Sequence, residues 1–201
     1  MMPLQNRVLP TGDIVAIPAR GTMTGNRGII HRPDRTLGTS RWSHQAWICC
    51  TLEWQGRKRQ VMTGRNWTEL FFLDEAVAMA AGHRPCGYCR RPAYNRFVAA
   101  WTQATGQKPS AKQMDKALHP ARVTRNRVQV RHRAAVGDLP DGAFVMAEGT
   151  PHLLWQGAAH PFAPEGYGTP KPLPDLPDVE VLTPKPMILA LSAGYVPHIV
   201  V

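Results

Sequence analysis

The chain has 201 residues, 43% of them hydrophobic, with 24 Lys and Arg against 14 Asp and Glu and a net charge of +10. This length bounds one domain, or one domain with an appended subdomain, and leaves enough apolar chain for a sizeable core. No uninterrupted apolar run approaches membrane-spanning length, which excludes a conventional transmembrane helix. The four cysteines, two as CxxC and two adjacent, are not spaced as a disulfide framework.

The N-terminal residues MMPLQNRVLPTGD do not combine a charged segment with a following apolar one as a secretory signal does, so a cytoplasmic location is expected. Charge is unevenly placed. Residues 1–133 hold 22 of the 24 Lys and Arg and 7 of the 14 acids, a net of +15, whereas residues 134–201 hold 2 and 7, a net of −5. Most of the basic residues are Arg, whose planar fork suits phosphate, so the excess points to a polyanionic partner.

Taken in order, residues 1–41 are rich in Gly, Pro, Thr and Arg, around the run PARGTMTGNRG. The short apolar run 13–17 (DIVAI) predicts a strand. Glycines beside Arg20 and Arg27 would let backbone amides approach an anion, although the spacing matches no Walker or dinucleotide fingerprint and also suits a turn-rich connector. Residues 42–72 read as a β-meander. A strand over 46–54 (AWICCTLEW) turns at Gln55 and Gly56, a second passes through Val61 and Met62, a turn falls at Gly64, and a third strand covers 67–72. Strand alternation puts Trp47, Cys49, Thr51 and Glu53 on one face and Ile48, Cys50, Leu52 and Trp54 on the other. Cys49 and Cys50 therefore point apart and do not easily share an ion.

A short helix follows, with Asp74 as N-cap, Glu75 at its positive end and Gly82 as its left-handed stop. A second opens at Pro92, carries Tyr94, Phe97, Val98 and Trp101 as a core face, and ends at Gly106. A third runs from Ser110 toward Leu118, because Ser110 and Gln113 form a capping box, and Pro120 is expected to stop it. The dense basic run 122–133 predicts a strand with Arg127, Gln129, Arg131 and Arg133 on one face, either a solvated edge or a phosphate-tracking surface. Beyond it the chain is Pro- and Gly-rich and mildly acidic. Strands are predicted over 143–147 and, after a turn at Glu148 and Gly149, over 152–156. A loop then runs through Gly168, followed by an extended tether over 170–177, a strand over 179–182 and a short helix over 187–191. The expected fold class is α+β: a small zinc-braced β-meander with two or three helices in residues 1–133, and a Pro/Gly-rich β-subdomain in residues 134–201 packed on it.

The sharpest chemical signal is Cys86 and Cys89, a CxxC between a helix stop and a helix start. Redox pairs of this spacing sit at a helix N-terminus after a strand, whereas here a helix precedes the pair, so half of a Zn²⁺ site is the expectation. Cys50, or Cys49, arrives on the upstream strand as third ligand. Candidates for the fourth are His31, His44, His83 and the other cysteine. His31 is preferred, since a ligand there would pin the Gly-rich loop to the core, and the expected set is Cys50, Cys86, Cys89 and His31.

The run FFLDEAVAMAAGHRPCGYCRR resembles the zinc-binding methylphosphotriester-repair module of Ada-type adaptive-response proteins, over roughly residues 47–101. The resemblance implies a strand, a short Ala-rich helix ending in Gly, and an RPC loop leading into the next helix. In that family four cysteines hold zinc, and one on the upstream strand takes a methyl group from a DNA phosphotriester. By this resemblance Cys86 and Cys89 match the second ligand pair, and Cys49 or Cys50 matches the nucleophile. The family's first pair is separated by three residues; here no cysteine follows Cys50 until Cys86.

Together these features point to a zinc-stabilised nucleic-acid-binding protein, with DNA as the favoured partner and a place in DNA repair or regulation. Arg57, Lys58, Arg59, Arg84, Arg90, Arg91, Arg125 and Arg127 are the expected phosphate contacts. Two alternatives stand beside it. One is a zinc-dependent enzyme, in which Cys49 or Cys50 accepts an alkyl group, or an open metal site hydrolyses a phosphodiester with His83 or His119 as base. The other is a structural-zinc module for protein interaction.

Overall fold

The fold was obtained as a computed structural model, which describes residues 3–58, 61, 67–173 and 175–201. In chain order the N-terminal half gives β1 (Arg7–Val8), β2 (Ile14–Val15), β3 (Met23–Asn26), β4 (Ile48–Thr51), β5 (Glu53–Trp54), β6 (Arg57–Lys58) and β7 (Leu70–Phe72). Then come α1 (Glu75–Ala80), β8 (Arg84–Pro85), α2 (Arg91–Thr105) and α3 (Ala111–Arg122). The remainder forms β9 (His132–Ala134), β10 (Phe144–Ala147), β11 (Thr150–Trp155), β12 (Ala158–Ala163), β13 (Gly166–Tyr167), β14 (Val179–Val181) and α4 (Lys185–Ser192). The fold class is α+β: among the described residues, four helices accompany two six-stranded sheets. None of these helices is long and apolar enough to cross a membrane.

The first sheet has the order β2-β1-β7-β3-β4-β8, with β1–β7 and β4–β8 parallel and the other pairs antiparallel. The second, β13-β12-β11-β10-β14-β9, is antiparallel throughout, and β5 and β6 form a separate hairpin. Every residue of α1 is buried. Its small Ala-rich surface lets it lie close against both β7 and β10. One apolar cluster therefore joins Leu70, Phe72, Ala76 and Ala80 to Phe144, Leu153 and Leu182 across the two sheets. A second cluster packs Phe97, Met114 and Leu118 of α2 and α3 against Met187 of α4 and Tyr195. Each such large side chain contributes about 1.5–3 kcal/mol.

Two acids fix the start of α1. Asp74 caps the helix by accepting from the Val77 amide at 3.0 Å. Its other oxygen accepts from the Tyr167 hydroxyl at 2.8 Å and the Val200 amide at 3.2 Å. Glu75 accepts from the Tyr195 hydroxyl at 2.6 Å, the His198 amide at 2.9 Å, and both guanidinium arms of Arg90 at 2.6 and 2.7 Å. The helix N-terminus thus ties the second sheet and the C-terminal residues to the first sheet.

Asp74, Gly82 and Gly106 terminate their helices as expected: Asp74 makes the cap bond, and the two glycines adopt φ of 84° and 73°. The turns at Gln55–Gly56 and Glu148–Gly149 also form, with positive φ at both residues of each, as two-residue hairpins require. Several readings need correction. The strand over 46–54 is split into β4 and β5. The helix α3 runs through Pro120 to Arg122; the proline removes one backbone bond only a turn from the end, and the Arg122 side chain is held by the carbonyls of Gly82 and Gln45 at 2.8 and 2.6 Å. The basic run 122–133 is not one strand, because Thr124 and Val128 close a tight turn with Arg127 at φ 67°, Val123 and Gln129 meet across it in an isolated antiparallel bridge, and a strand begins only at β9. The stretch leading to Gly168 is likewise not a plain loop but contains β12 and β13. The second strand of the meander is β6 and not a strand through Val61, which lies in a turn; the expected turn at Gly64 and strand residue Met62 lie outside the described residues.

Candidate metal centre

The site is built on the parallel pair β4–β8. Gly82 reverses the chain after α1, and β8 then aligns Arg84 with Ile48 and Pro85 with Cys49. The Cys86 amide donates to the Cys49 carbonyl at 2.9 Å, which sets Cys86 alongside Cys50. A turn closed by the Arg90 amide on the Cys86 carbonyl at 3.1 Å brings Cys89 back over the strand before α2 begins. As a result the sulfurs of Cys50, Cys86 and Cys89 all lie within 4.8 Å of one another. Three thiolates around a tetrahedral zinc at about 2.3 Å would stand roughly 3.8 Å apart. The cluster needs little adjustment to hold a metal ion, and a set of three soft donors suits zinc and similar thiophilic metals.

The thiols are not equivalent. Cys86 is pushed strongly toward thiolate because it accepts hydrogen bonds from Cys50 and Cys89, with the Tyr88 amide also donating to its sulfur at 3.4 Å. Cys50 is pushed up, because its proton is shared with Cys86 and Cys89. Cys49 faces the opposite side of β4, as alternation predicts. It is fully buried, receives a hydrogen bond from Arg90 Nη1 at 3.7 Å, and is pushed up by burial and then by Glu75. A thiol so enclosed is neither a ligand to the trio nor an accessible nucleophile.

Among the described residues no fourth Cys, His, Asp or Glu joins the three. His31 is placed elsewhere: its Nε2 lies 2.9 Å from the Gln5 carbonyl and its Nδ1 3.3 Å from the Thr68 hydroxyl. The Gly-rich loop is pinned, but by hydrogen bonds to the chain rather than through the cysteines. His83 is fully buried, with Nε2 accepting from Arg27 Nε at 3.2 Å, and His44 is exposed. His119 packs edge-on against Trp42 at 5.3 Å. The residues outside the described set are Met, Arg, Gln, Thr, Gly, Asn and Pro. Among the described residues, three thiols meet at the site with no imidazole or carboxylate beside them.

Two of the arginines expected to face phosphate are structural. Arg84 is 5% exposed and makes a two-pronged ion pair with Asp115 at 2.8 Å for each bond. Arg90 is clamped on Glu75, which is itself 1% exposed. The turn around the cysteines directs Arg84 to α3 and Arg90 to α1, so neither is free to meet a polyanion. Arg91, Arg125 and Arg127 are exposed. Arg57 and Lys58 contribute backbone to β6, but their side chains, and the whole of Arg59, lie outside the described residues.

A pair of aromatic side chains not foreseen from sequence flanks the centre. Trp54 on β5 and Tyr88 within the CxxC turn have ring centroids 5.8 Å apart and are 36% and 67% exposed. The signal was present as a tryptophan at the end of the cysteine-bearing strand and a tyrosine inside the motif, but only the folded turn brings them together. Comparison with known protein families, with curated proteins and with solved structures finds no match for this chain.

Proposed function

We propose that the chain is a zinc-binding protein that contacts nucleic acid, DNA before RNA, with the face that carries the metal loop. The observation that carries this reading is the convergence of Cys50, Cys86 and Cys89 beside the exposed Trp54 and Tyr88. Bound zinc would hold the three sulfurs as thiolates and fix the turn that presents Tyr88. Exposed rings accept stacked bases at about 1–3 kcal/mol each. Arg91, exposed at the start of α2 shortly after the CxxC turn, supplies charge, and the +15 of residues 1–133 supplies the longer-range attraction. The resemblance to the Ada-type module agrees with this assignment.

Metal analysis of the purified protein is expected to give one zinc per chain, lost in Cys86→Ser. Fluorescence anisotropy is expected to show binding to a labelled duplex that weakens with salt, and binding to a labelled single strand that falls in a Trp54→Ala, Tyr88→Ala double variant. Absence of metal, or a duplex affinity indifferent to salt, would sink the reading.

A second reading is favoured by one contrast: Cys50 is half-buried while Cys49 is sealed. In it, Cys50 is an alkyl acceptor. Cys50 passes its proton to the Cys86 thiolate and the resulting Cys50 thiolate attacks the methyl carbon of a phosphotriester; a carbon–sulfur bond forms, the carbon–oxygen bond breaks, and the phosphodiester anion leaves. Cys86 and Cys89 hold Cys50 in place, and the backbone of β4 fixes its direction. Mass spectrometry after incubation with methylated DNA is expected to find one added CH2 on the peptide containing Cys50. An unmodified peptide after complete incubation excludes the transfer.

A further inference from the structure

At the other end of the same two strands lies a second site. Trp47 precedes β4 and His83 precedes β8, with ring centroids 5.3 Å apart. Arg27, just after β3, and Arg122, from the end of α3, each place their guanidinium carbon 4.0 Å from the centroid of the Trp47 ring. Both arginines are 2% exposed. Their hydrogen bonds go to neutral partners: Arg27 Nε to His83, and the two terminal nitrogens of Arg122 to the carbonyls of Gly82 and Gln45. Arg27 Nη2 and Arg122 Nε have no hydrogen-bond partner.

Two buried cations against one indole ring, with no carboxylate bonded to either, are costly. The nearest acids are committed or remote. Asp115 is paired with Arg84, Glu180 with Arg131 at 2.9 Å, and Asp13 is exposed and bonded by Thr11. The electrostatics carry the mark of this arrangement: Arg27 is lowered to about 9 by burial and then by Arg41, and Arg122 to about 9 by burial and then by Arg27. The two arginines line a cleft of about 760 Å³, with Arg41, Arg127 and Arg131 also on its walls and Ile14 and Val128 among its apolar surfaces. Five arginines against Asp13 and Glu180 leave the cleft a net of +3. A cleft of this size is in the range that encloses a small organic ligand.

We propose that this cleft binds a small phosphate monoester, with the dianionic phosphate among the arginines of its wall, where its charge offsets that of Arg27 and Arg122, and the organic part against the apolar wall. A dianion balances two buried guanidinium groups, and planar forks match phosphate oxygens. A single carboxylate leaves one charge uncompensated. The site is separate from the cysteines and does not depend on the metal reading, so binding should persist in Cys86→Ser.

The test is calorimetric titration of the full chain at fixed ionic strength with ribose 5-phosphate, inorganic phosphate, ribose and acetate. Saturable binding of ribose 5-phosphate, weaker binding of phosphate, and none of ribose or acetate are expected. Arg27→Met is expected to abolish the response while leaving the protein at least as heat-stable, since it removes an uncompensated buried charge. Arg41→Ala and Arg127→Asn at the rim are each expected to weaken binding about tenfold, the loss of one charge-assisted hydrogen bond, and they decide the matter if Arg27→Met does not fold. Equal binding of acetate, unchanged affinity in the rim variants, or binding only to a 5′-phosphorylated oligonucleotide would overturn the assignment.

Discussion

The two adjacent cysteines have opposite fates because a strand turns successive side chains to opposite faces. Cys50 meets Cys86 and Cys89, while Cys49 enters the core. Cys50→Ser is therefore expected to lower metal affinity by orders of magnitude, whereas Cys49→Ala should keep the metal and cost about 1 kcal/mol of stability, as read by metal titration and urea unfolding. His83 gives a residue-scale pH effect. Burial, then Arg27 and Arg122, hold its pKa well below 6.5, so the folded state keeps it neutral. Its contribution is intact above about pH 6.5 and is lost as pH falls, because there the unfolded chain binds the proton and the native one does not. Unfolding free energy should decline by up to about 1.4 kcal/mol per pH unit below that point, and a His83→Gln variant should show a shallower decline. Alternation of Cys49 and Cys50 could be read from residue order alone. The fate of Arg84 and Arg90 could not, since their acids lie at Asp115 and Glu75, on other elements.

Among the elements, α1 has the most to lose. Asp74 caps its own helix, accepts from Tyr167 of β13 and holds the Val200 amide. Asp74→Ala removes a cap worth about 1 kcal/mol and strands two half-buried donors. A loss of roughly 3 kcal/mol in chemical denaturation is expected, well above that of an ordinary cap. Gly82 is constrained twice over: its φ is +84°, and a Cβ there would stand 2.5 Å from the Arg122 side chain. Helix starts and stops were legible in sequence because Asp, Ser and Gly act on their immediate neighbours. The continuation of α3 past Pro120 and the folding back of residues 124–128 were not, because Arg122 is anchored by Gly82 and Gln45, both remote in sequence. The hairpin β12–β13 was missed for a related reason: its strands carry Pro161 and Pro164-flanked Ala163, which read locally as loop, yet β12 pairs with β11 over four positions.

At the scale of the molecule, composition overstates the charge offered to a partner. Arg27, Arg84, Arg90 and Arg122 are counted in the basic half but are consumed by the interior or by the cleft. The salt dependence of DNA binding should accordingly reflect only a few phosphate contacts, fewer than the net of +15 suggests. The C-terminal residues are the complementary case. Tyr195, His198 and Val200 satisfy Glu75 and Asp74, so a chain truncated before Tyr195 leaves two buried acids short of donors. A drop of several kcal/mol in stability, or loss of soluble protein, is expected on truncation.

The joining of β4 to the turn after β8 also has a topological consequence. A metal shared by Cys50 and Cys86 would cross-link positions 36 apart in the chain, closing a ring that contains β7 and all of α1. Cross-links of that span remove unfolded-state entropy worth about 4 kcal/mol in a chain-entropy account. Most of the core stretch between β7 and β8 would then be tied off at one point by an ion rather than by a covalent bond, making its cohesion reversible by a chelator. Limited proteolysis of the zinc-loaded protein, before and after chelation, should show cleavage between residues 51 and 85 rising sharply once the ring is opened.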